Sequence, residues 1–332
     1  MPTAAAPRVA AVIPHWNRRD LLPPLFESLR AQTRPFDEIL LADNGSTDDS
    51  AAVAERAGAR VLRLGRNLGF APAVNRGVEA VQADWVAILN NDVTLEADWL
   101  ERLLAGASQE GAWFATGKTL NAANPGLIDG TFDELSRGGC ADRCGSGRPD
   151  ATLWNQPKRI RFAPMTAALF RKELFVRLGG LDESFGSYME DVEFGLRCAL
   201  SGYDGVYVPA AVAHHRGSAT LGTWNKATVW RIARNQVLLV AKHFGGLPRW
   251  PIVAGQLLWG FVALRHGRGG AWLSGKLAGI REARRVERVS ASAEETNRLT
   301  AVLLASEENI RALARQTNFD RYWRAYFWLS PR

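Results

Sequence analysis

The sequence predicts an α/β domain built on a mostly parallel sheet that is flanked by helices, followed by a helical extension. In the first hundred residues, short apolar runs alternate with helix-length amphipathic segments, a pattern typical of βαβ units. The 332 residues, of which 47% are hydrophobic, are enough to bury a large core. After Gly245-Gly246 and Pro248 the chain changes to basic helical segments. We therefore expect a domain over residues 1–245 and a tail over residues 246–332.

The first part of the chain contains four predicted strands and three predicted helices. Each strand is an apolar run that ends at a turn residue, and each helix has apolar residues three or four positions apart. The predicted strands are Val9–Ile13, Glu38–Ala42, Arg60–Leu64 and Asp84–Leu89, and the helices run from Asp20 to Ala31, from Thr47 or Asp48 to about Ala57, and from Phe70 to Ala83. This order predicts right-handed crossovers between parallel strands.

After Asp92 the alternation is less regular. Strands are predicted at 113–116, 164–170 and 203–208, the last ending at Pro209, and helices at 95–107, 172–178, 191–201 and 227–244. Residues 121–157 are rich in Gly, Asp, Arg and Pro, which favours loops or a flexible excursion over the site.

Composition limits the class of partner and the compartment. The net charge of +7 and the isoelectric point of about 9.7 favour anionic partners such as phosphates or acidic lipids. Three cysteines are too few for a disulfide framework, so a reducing cytosol is expected; Cys140 and Cys144 resemble a ligand pair, but no second pair follows. Residues 1–7 have no apolar run of signal-peptide length, and no run reaches the roughly 20 apolar residues of a membrane span.

Polar side chains follow three of the predicted strands at the point where each strand ends. Pro14-His15-Trp16-Asn17 follows the first strand, Asp43 the second, and Asn90-Asn91-Asp92 the fourth. Because parallel strands bring their carboxyl ends to one edge of a sheet, these residues predict a shared ligand crevice there.

Five ordered segments resemble the family 2 glycosyltransferases with the GT-A fold, especially the rhamnosyltransferase-like branch. They are Val12–Asn17, Ala42–Asp48, Asn67–Gly77, Leu89–Asp92 and Tyr188–Glu193. The resemblance covers about residues 8 to 245. It implies an inverting transferase that moves a sugar, such as rhamnose or another deoxyhexose, from a nucleotide donor.

The resemblance also implies how the donor is held. Asp92 matches the last acid of the family's Asp-x-Asp metal motif, with Asn90 in place of the first acid, and His214 is the expected histidine at the metal or diphosphate. Mg²⁺ or Mn²⁺ would neutralise the diphosphate.

The resemblance also implies which residues bind the nucleotide. Asp43 matches the acid that recognises the base by accepting from the N3–H of uracil or thymine, so a UDP donor and a dTDP donor both remain possible. The other expected donor-binding residues are Pro14, Trp16, Asn17, Asn67, Gly69, Asn75, Asn90 and Asn91. Packing in the core is the alternative for Trp16.

The acidic pair Glu190-Asp191 is the predicted catalytic element. The acceptor hydroxyl must lose a proton as it attacks, and a positioned carboxylate can take it. The resemblance implies that Asp191 is this base and that Glu190 orients the site. An acidic start of a helix is the alternative.

The basic, aromatic tail predicts contact with a membrane interface. Trp250, Trp259 and Trp272 lie among many arginines, and Ile252–Leu264 reads as a buried or an interfacial helix. We expect a glycan or lipid-linked acceptor, a cytoplasmic location that extends to the inner face of the cell membrane, and no nucleic acid. A lid or an oligomer surface is the alternative for the tail.

Two other functions fit a similar α/β core. A nucleotidyltransferase would favour a phosphate-binding loop rich in Gly and Lys or Arg directly after the first strand, which Pro14–Asn17 is not. A sugar-binding or nucleic-acid-binding module would lack catalysis altogether.

Overall fold

The computed structural model describes residues 6–217, 224–289, 292–318 and 320–331. Their strands are β1 (Val9–His15), β2 (Glu38–Asp43), β3 (Arg60–Arg63), β4 (Trp85–Leu89), β5 (Val93–Leu95), β6 (Phe114–Asn121), β7 (Asn124–Gly130), β8 (Asp133–Leu135), β9 (Ala141–Arg143), β10 (Lys158–Ile160), β11 (Ala167–Arg171) and β12 (Gly205–His215). Their α-helices are α1 (Leu22–Arg30), α2 (Ser50–Arg56), α3 (Phe70–Ala80), α4 (Trp99–Gln109), α5 (Lys172–Leu178), α6 (Glu190–Leu200), α7 (Lys226–His243), α8 (Arg249–Arg265), α9 (Gly269–Glu282), α10 (Ala293–Thr317) and α11 (Arg321–Leu329). The sequence predicts no apolar run of signal-peptide length in residues 1–7. Residues 1–5 of this segment lie outside the described residues.

Contacts divide the chain into two compact units, which we describe separately. The first comprises residues 1–132, 145–186 and 194–219, and the second comprises residues 133–144, 187–193 and 220–332. This division differs from the sequence prediction, because α7 packs along α9 and thereby groups with the C-terminal helices. The segment 133–144 also joins them, since β8 contacts α10.

The first unit contains the large sheet. Its strand order is β10-β12-β6-β11-β4-β1-β2-β3, with β5 beside β12 and β7 beside β6. The pairs β3-β2, β2-β1, β1-β4 and β6-β12 are parallel, whereas β11 is antiparallel to both β4 and β6. Strands β3, β2, β1, β4, β6 and β12 therefore point the same way, which confirms the mostly parallel sheet.

The core of this unit lies between the sheet and its helices. Alternate β1 residues Val9, Ala11 and Ile13 pack in one cluster with apolar residues of α1 and α4. On the other face α3 approaches closely at Gly77, where a Cβ atom would lie 2.4 Å from a methyl carbon of Val12. Every residue of β1 is buried, as the unbroken apolar run of this strand predicts.

Two predictions for the middle of the chain are wrong. Residues 121–157 are not loops throughout, since β7 pairs with β6 and β8 pairs with β9. The last strand does not end at Pro209 but continues to His215 as β12, with an irregular register between Val208 and Val212. A proline fits inside a strand at such an irregularity because it cannot donate to the ladder.

The second unit is helical apart from β8 and β9. Helix α9 packs tightly on α7, since a Cβ atom on Gly275 would lie 2.4 Å from the carbonyl oxygen of Trp230. Inside the unit, Glu307 of α10 accepts from the backbone N–H of Arg137 at 2.9 Å and from the hydroxyl of Tyr326 at 2.7 Å. Cys140 and Cys144 are both buried.

Candidate active site

The ends of β1 and β2 lie side by side at the carboxyl edge of the sheet. His15 and Asp43, the last residues of these strands, are register partners, and the backbone N–H of Asn44 donates to the carbonyl of His15 at 2.7 Å. Asp43 is buried, and its Oδ1 accepts from the backbone N–H of Ser46 at 3.0 Å. The strand pairing thus places this predicted base-reading acid at the edge.

The turn after β1 is attached to the turn after β2. Asn17 has a left-handed backbone with φ of 54°; its N–H donates to Ser46 Oγ at 2.8 Å, and its Oδ1 accepts from Thr47 N–H at 2.9 Å. Trp16 is 43% exposed, so it does not pack in the core, and Pro14 is buried in β1. Asn17 therefore acts locally as a turn anchor, while the indole of Trp16 is open to a planar ligand.

The end of β4 joins the same edge. The backbone N–H of Asn90 donates to the carbonyl of Thr166 at 2.9 Å, and the amide nitrogen of Asn91 lies 2.8 Å from His15 Nδ1. Burial lowers the pKa of His15 to about 4 despite the nearby carboxylate of Asp43, so the ring is neutral at pH 7. Asn91, His15 and Asp43 thus form a polar row across the ends of β4, β1 and β2.

Asp92 forms part of a buried cluster with His215 and Asp129. His215 Nε2 lies 3.1 Å from Asp92 Oδ1, and His215 Nδ1 lies 2.9 Å from Asp129 Oδ2. Burial alone would lower the pKa of His215, but the hydrogen bonds that its ring donates to Asp129 and Asp92 overcome this effect and raise the pKa to about 9. At neutral pH an imidazolium therefore lies between two carboxylates.

His214, the predicted metal-site histidine, is not the one beside Asp92. Its Nε2 pairs with Glu96 Oε1 at 2.7 Å, and Glu96 is more than half exposed. Successive side chains of a strand point to opposite faces, so only one of the two histidines at the end of β12 can face Asp92. The structure gives that position to His215.

The donor set around Asp92 suits a divalent ion but is not a preformed site. Two carboxylates and an imidazole are ligands that Mn²⁺ accepts. Nevertheless, in the part of the chain that the structure describes, no group of three or more His, Cys, Asp or Glu side chains is arranged to hold a metal ion. Oxygens of a bound diphosphate would have to complete the coordination.

The segment 67–77 is positioned by side-chain amides. Asn44 donates to the carbonyl of Gly69 at 2.8 Å and accepts from the N–H of Leu68 at 3.0 Å, while Asn67 Oδ1 accepts from the N–H of Gly69 at 3.0 Å. Gly69 needs its glycine because its φ is +102° and a Cβ atom would lie 3.1 Å from the carbonyl oxygen of Gly186. These contacts fix the loop in front of α3.

Asn75 has a structural partner. Its amide donates to the carbonyl of Leu181 at 2.9 Å and accepts from the N–H of Leu181 at 2.8 Å, and Nδ2 also lies 3.1 Å from Glu183 Oε1. The side chain thus holds the turn before the short helix at 183–185 onto α3. Its predicted contact with the donor stays a prediction.

In the second unit, Glu190 and Asp191 begin α6 beside Arg143. Arg143 Nη2 lies 3.8 Å from Asp191 Oδ2, and Arg143 Nε lies 3.3 Å from Asp133 Oδ1. Burial, reinforced by the charge of Asp191, raises the pKa of Glu190 well above its usual value. Burial also raises the pKa of Asp133 to about 6, although Arg143 opposes the rise.

A strained turn positions this acidic pair. Tyr188 and Met189 both have left-handed backbones, with φ of 72° and 67°. The amide of Asn235, which is fully buried on α7, donates to the carbonyls of Ser187 at 3.0 Å and of Tyr188 at 2.7 Å. A positive φ is costly for a bulky residue, so Asn235 stabilises a conformation that the chain would not otherwise adopt.

Sequence reasoning missed five of the residues that organise these groups. They are His215, Asp129, Asp133, Arg143 and Asn235. Asp129, Asp133 and Arg143 lie within residues 121–157, where β7 contains Pro and Gly and β8 and β9 have only three residues each, so none of these strands shows a clear hydrophobic period. The pairing of His215 with Asp92 depends on the phase of β12, which follows only from its irregular register.

Comparison with known proteins gives consistent matches. Residues 10–178 match the family model described as glycosyl transferase family 2. Among curated proteins, an N-acetylglucosaminyl-diphospho-decaprenol L-rhamnosyltransferase of Mycobacterium tuberculosis is 33% identical over 215 residues, which are 57% of this chain and 70% of that protein.

Two solved structures share the fold. The mannosyltransferase PcManGT from Pyrobaculum calidifontis, in complex with GDP-Man and Mn²⁺, matches with a TM-score of 0.55 and 18% sequence identity. The match covers 97% of this chain and 86% of the PcManGT chain. GalNAc-T7 with UDP, GalNAc and Mn²⁺ matches with a TM-score of 0.60 and 16% sequence identity. This match covers 85% of this chain and 56% of the GalNAc-T7 chain. These likenesses confirm the GT-A fold that the sequence predicts.

Proposed function

Because this chain belongs to glycosyl transferase family 2, we propose that it transfers a sugar from a dTDP- or UDP-linked donor to a lipid-linked or polysaccharide acceptor, with inversion at the anomeric carbon. Rhamnose or another deoxyhexose is the proposed sugar. The similarity to the mycobacterial N-acetylglucosaminyl-diphospho-decaprenol L-rhamnosyltransferase supports both the sugar and the lipid-linked acceptor.

The row at the carboxyl edge of the sheet is the observation that carries this proposal. Asp43, His15 and Asn91 follow one another across three strand ends, and Asp92 directly follows Asn91. Ligands of open α/β sheets bind at this edge. We assign the nucleotide to it, with Asp43 accepting from the base N3–H and the exposed indole of Trp16 stacking on the base.

We assign Mg²⁺ or Mn²⁺ to Asp92, Asp129 and His215 together with the donor diphosphate; to bind the ion, the imidazolium of His215 would have to lose a proton. When bound, the ion supplies positive charge that stabilises the diphosphate as the sugar leaves. Both solved relatives are complexes that contain Mn²⁺, which supports this assignment. His214 leaves the proposed ligand set because its ring pairs with Glu96.

Asp191 is the proposed base. The acceptor oxygen forms a bond to the anomeric carbon, its proton passes to the Asp191 carboxylate, and the bond between sugar and diphosphate breaks. A single displacement of this kind inverts the anomeric carbon. Glu190 is the proposed orienting residue; it is buried, and this burial raises its pKa and so favours its protonated form.

A donor screen tests the proposal. The protein is heated with UDP-, dTDP-, CDP- and GDP-sugars, each with Mn²⁺ or Mg²⁺, and every donor that stabilises it is then offered with a polyprenyl-diphosphate-linked sugar. We expect stabilisation by a uridine or thymidine donor and a product with inverted anomeric configuration by NMR. Selective stabilisation by CDP-sugars would exclude the role of Asp43, because cytosine lacks the N3–H. A product with retained configuration would exclude the single-base mechanism.

A further inference from the structure

Helix α8 exposes an entirely apolar face. The solvent-exposed large side chains between its terminal arginines are Trp250 (57% exposed), Val253 (43%), Leu257 (59%), Phe261 (66%) and Leu264 (63%). They are spaced three or four residues apart and therefore lie along one side of the helix. The one polar side chain between Arg249 and Arg265 is Gln256, and it points inward, donating to the carbonyl of Gly138 at 2.9 Å.

Helix α9 also exposes apolar side chains, and it buries its lysine. Leu273, Leu277 and Ile280 are about half exposed, whereas Lys276 is buried and donates to Gln236 Oε1 at 2.7 Å and to Gln256. A surface helix in water normally turns its apolar stripe to the core and its lysines outward. Here both helices of the pair do the opposite.

This exposure is concentrated rather than scattered. Of the 13 large hydrophobic side chains that are exposed in the described residues, eight lie on α8 and α9. The tryptophans Trp259 and Trp272, by contrast, are only partly exposed, and Trp272 lies against Gly260 of α8. Concentrated exposed apolar surface marks a contact with a partner or a membrane.

The charge around this apolar face is strongly positive. Residues 246–289 contain eight Lys and Arg against two Glu. Arg249, Arg265 and Arg268 lie at the ends of α8 and before α9, and Arg281, Arg284, Arg285 and Arg288 lie at the end of α9 and beyond it. Two copies of such a face would bring like charges together, whereas anionic phospholipid headgroups complement it.

We propose that the face formed by Trp250, Val253, Leu257, Phe261, Leu264, Leu273, Leu277 and Ile280, here called the α8–α9 face, binds the surface of an anionic bilayer. The helices lie in the plane of the interface, with the apolar side chains among the acyl chains and the arginines at the phosphates. Among the residues with described structure, no helix is long and apolar enough to cross a membrane. The inference does not depend on glycosyl transfer.

Vesicle flotation without donor or acceptor tests it. Wild-type protein should float with vesicles of phosphatidylcholine and phosphatidylglycerol, and less with phosphatidylcholine alone. The double variant Leu257→Glu/Phe261→Glu should bind the anionic vesicles more weakly by about tenfold or more, because it places two charges in the apolar layer. The matched control is Val176→Glu, which alters a 75% exposed side chain on α5 of the first unit and should leave binding unchanged.

Light scattering after size exclusion completes the test. The variants change exposed side chains, so circular dichroism should show native folding. Failure of the folded wild type to bind anionic vesicles would overturn the proposal. It would also fail if the wild type were a dimer that the double variant makes monomeric without any change in vesicle binding, since the α8–α9 face would then serve a second copy. Loss of vesicle binding in high salt would support the role of the arginines.

Discussion

Replacing His215 by asparagine should destabilise the first unit and weaken transfer, while the same change at His214 should do neither. His215 makes two charge-assisted contacts, at 3.1 Å with Asp92 and at 2.9 Å with Asp129, and such bonds contribute about 1.5–3 kcal/mol each. The rise of its pKa from 6.5 to about 9 corresponds to about 3 kcal/mol in favour of the imidazolium. We therefore expect the free energy of unfolding to fall by about 2–4 kcal/mol.

The pH at which the stability of His215→Asn should be measured follows from the direction of the pKa shift of His215. A histidine with a raised pKa stabilises the fold fully below its unfolded value of 6.5, and this contribution is lost as the pH rises through about 9. Urea unfolding at about pH 6, with a chelator present, therefore measures the whole effect.

The neighbouring histidine gives the control. His214 pairs with an exposed carboxylate, so His214→Asn should cost less than about 1 kcal/mol. With Mn²⁺, we expect the transfer rate of His215→Asn to fall about 10- to 100-fold. Equal effects of the two substitutions, on stability or on transfer, would refute the assignment of His215 to Asp92.

Three further predictions follow from buried groups. Burial lowers the pKa of Lys276 to about 8, so the native state binds fewer protons than the unfolded chain between pH 8 and 10.5. Relative to Lys276→Met, the wild type should therefore gain about 3 kcal/mol of stability as the pH rises through this interval. A stability difference that does not change with pH would contradict this prediction. Asn235→Ala should lower kcat with little change in donor affinity, because it frees the strained turn at Tyr188, and a selective loss of donor binding would count against this role. Asp92→Asn should raise the Mn²⁺ concentration needed for half-maximal transfer about tenfold or more, and an unaltered requirement would remove Asp92 from the metal site.

Much of the fold follows from the sequence because β1 and β4, two strands of its parallel half, are buried on both faces. The runs at Val9 and Trp85 are continuously apolar, which a buried parallel strand requires. The polar residues that end these strands were therefore correctly placed at one edge of the sheet.

The sequence does not predict in the same way which residues of β12 face each side of the sheet. The irregular register between Val208 and Val212 changes which face the following residues take, so counting alternate positions from the start of the strand fails at the two histidines. Asp129 lies on β7, which contains Pro and Gly, and Arg143 lies on the three-residue strand β9; neither strand has a hydrophobic period that distinguishes it from a loop.

The tail illustrates a different limit. Composition predicts aromatic and basic helices, but it does not say which side of each helix faces outward. The inward position of Lys276 and the outward position of Phe261 become known only when packing is seen. In the ending 319–328, Phe319 lies outside the described residues, and α11 packs Trp323, Tyr326 and Phe327 in a small apolar cluster with Ile310.

Substitution of Asp191 by asparagine, with transfer and donor binding measured in parallel, tests the proposed base. Asn has nearly the same shape but cannot take the acceptor proton. We expect donor affinity to be retained while transfer falls about 10²- to 10⁴-fold, and we expect Asp98→Asn, which alters a partly exposed carboxylate before α4, to change neither. Transfer at the wild-type rate in the Asp191→Asn protein would exclude Asp191 as the base.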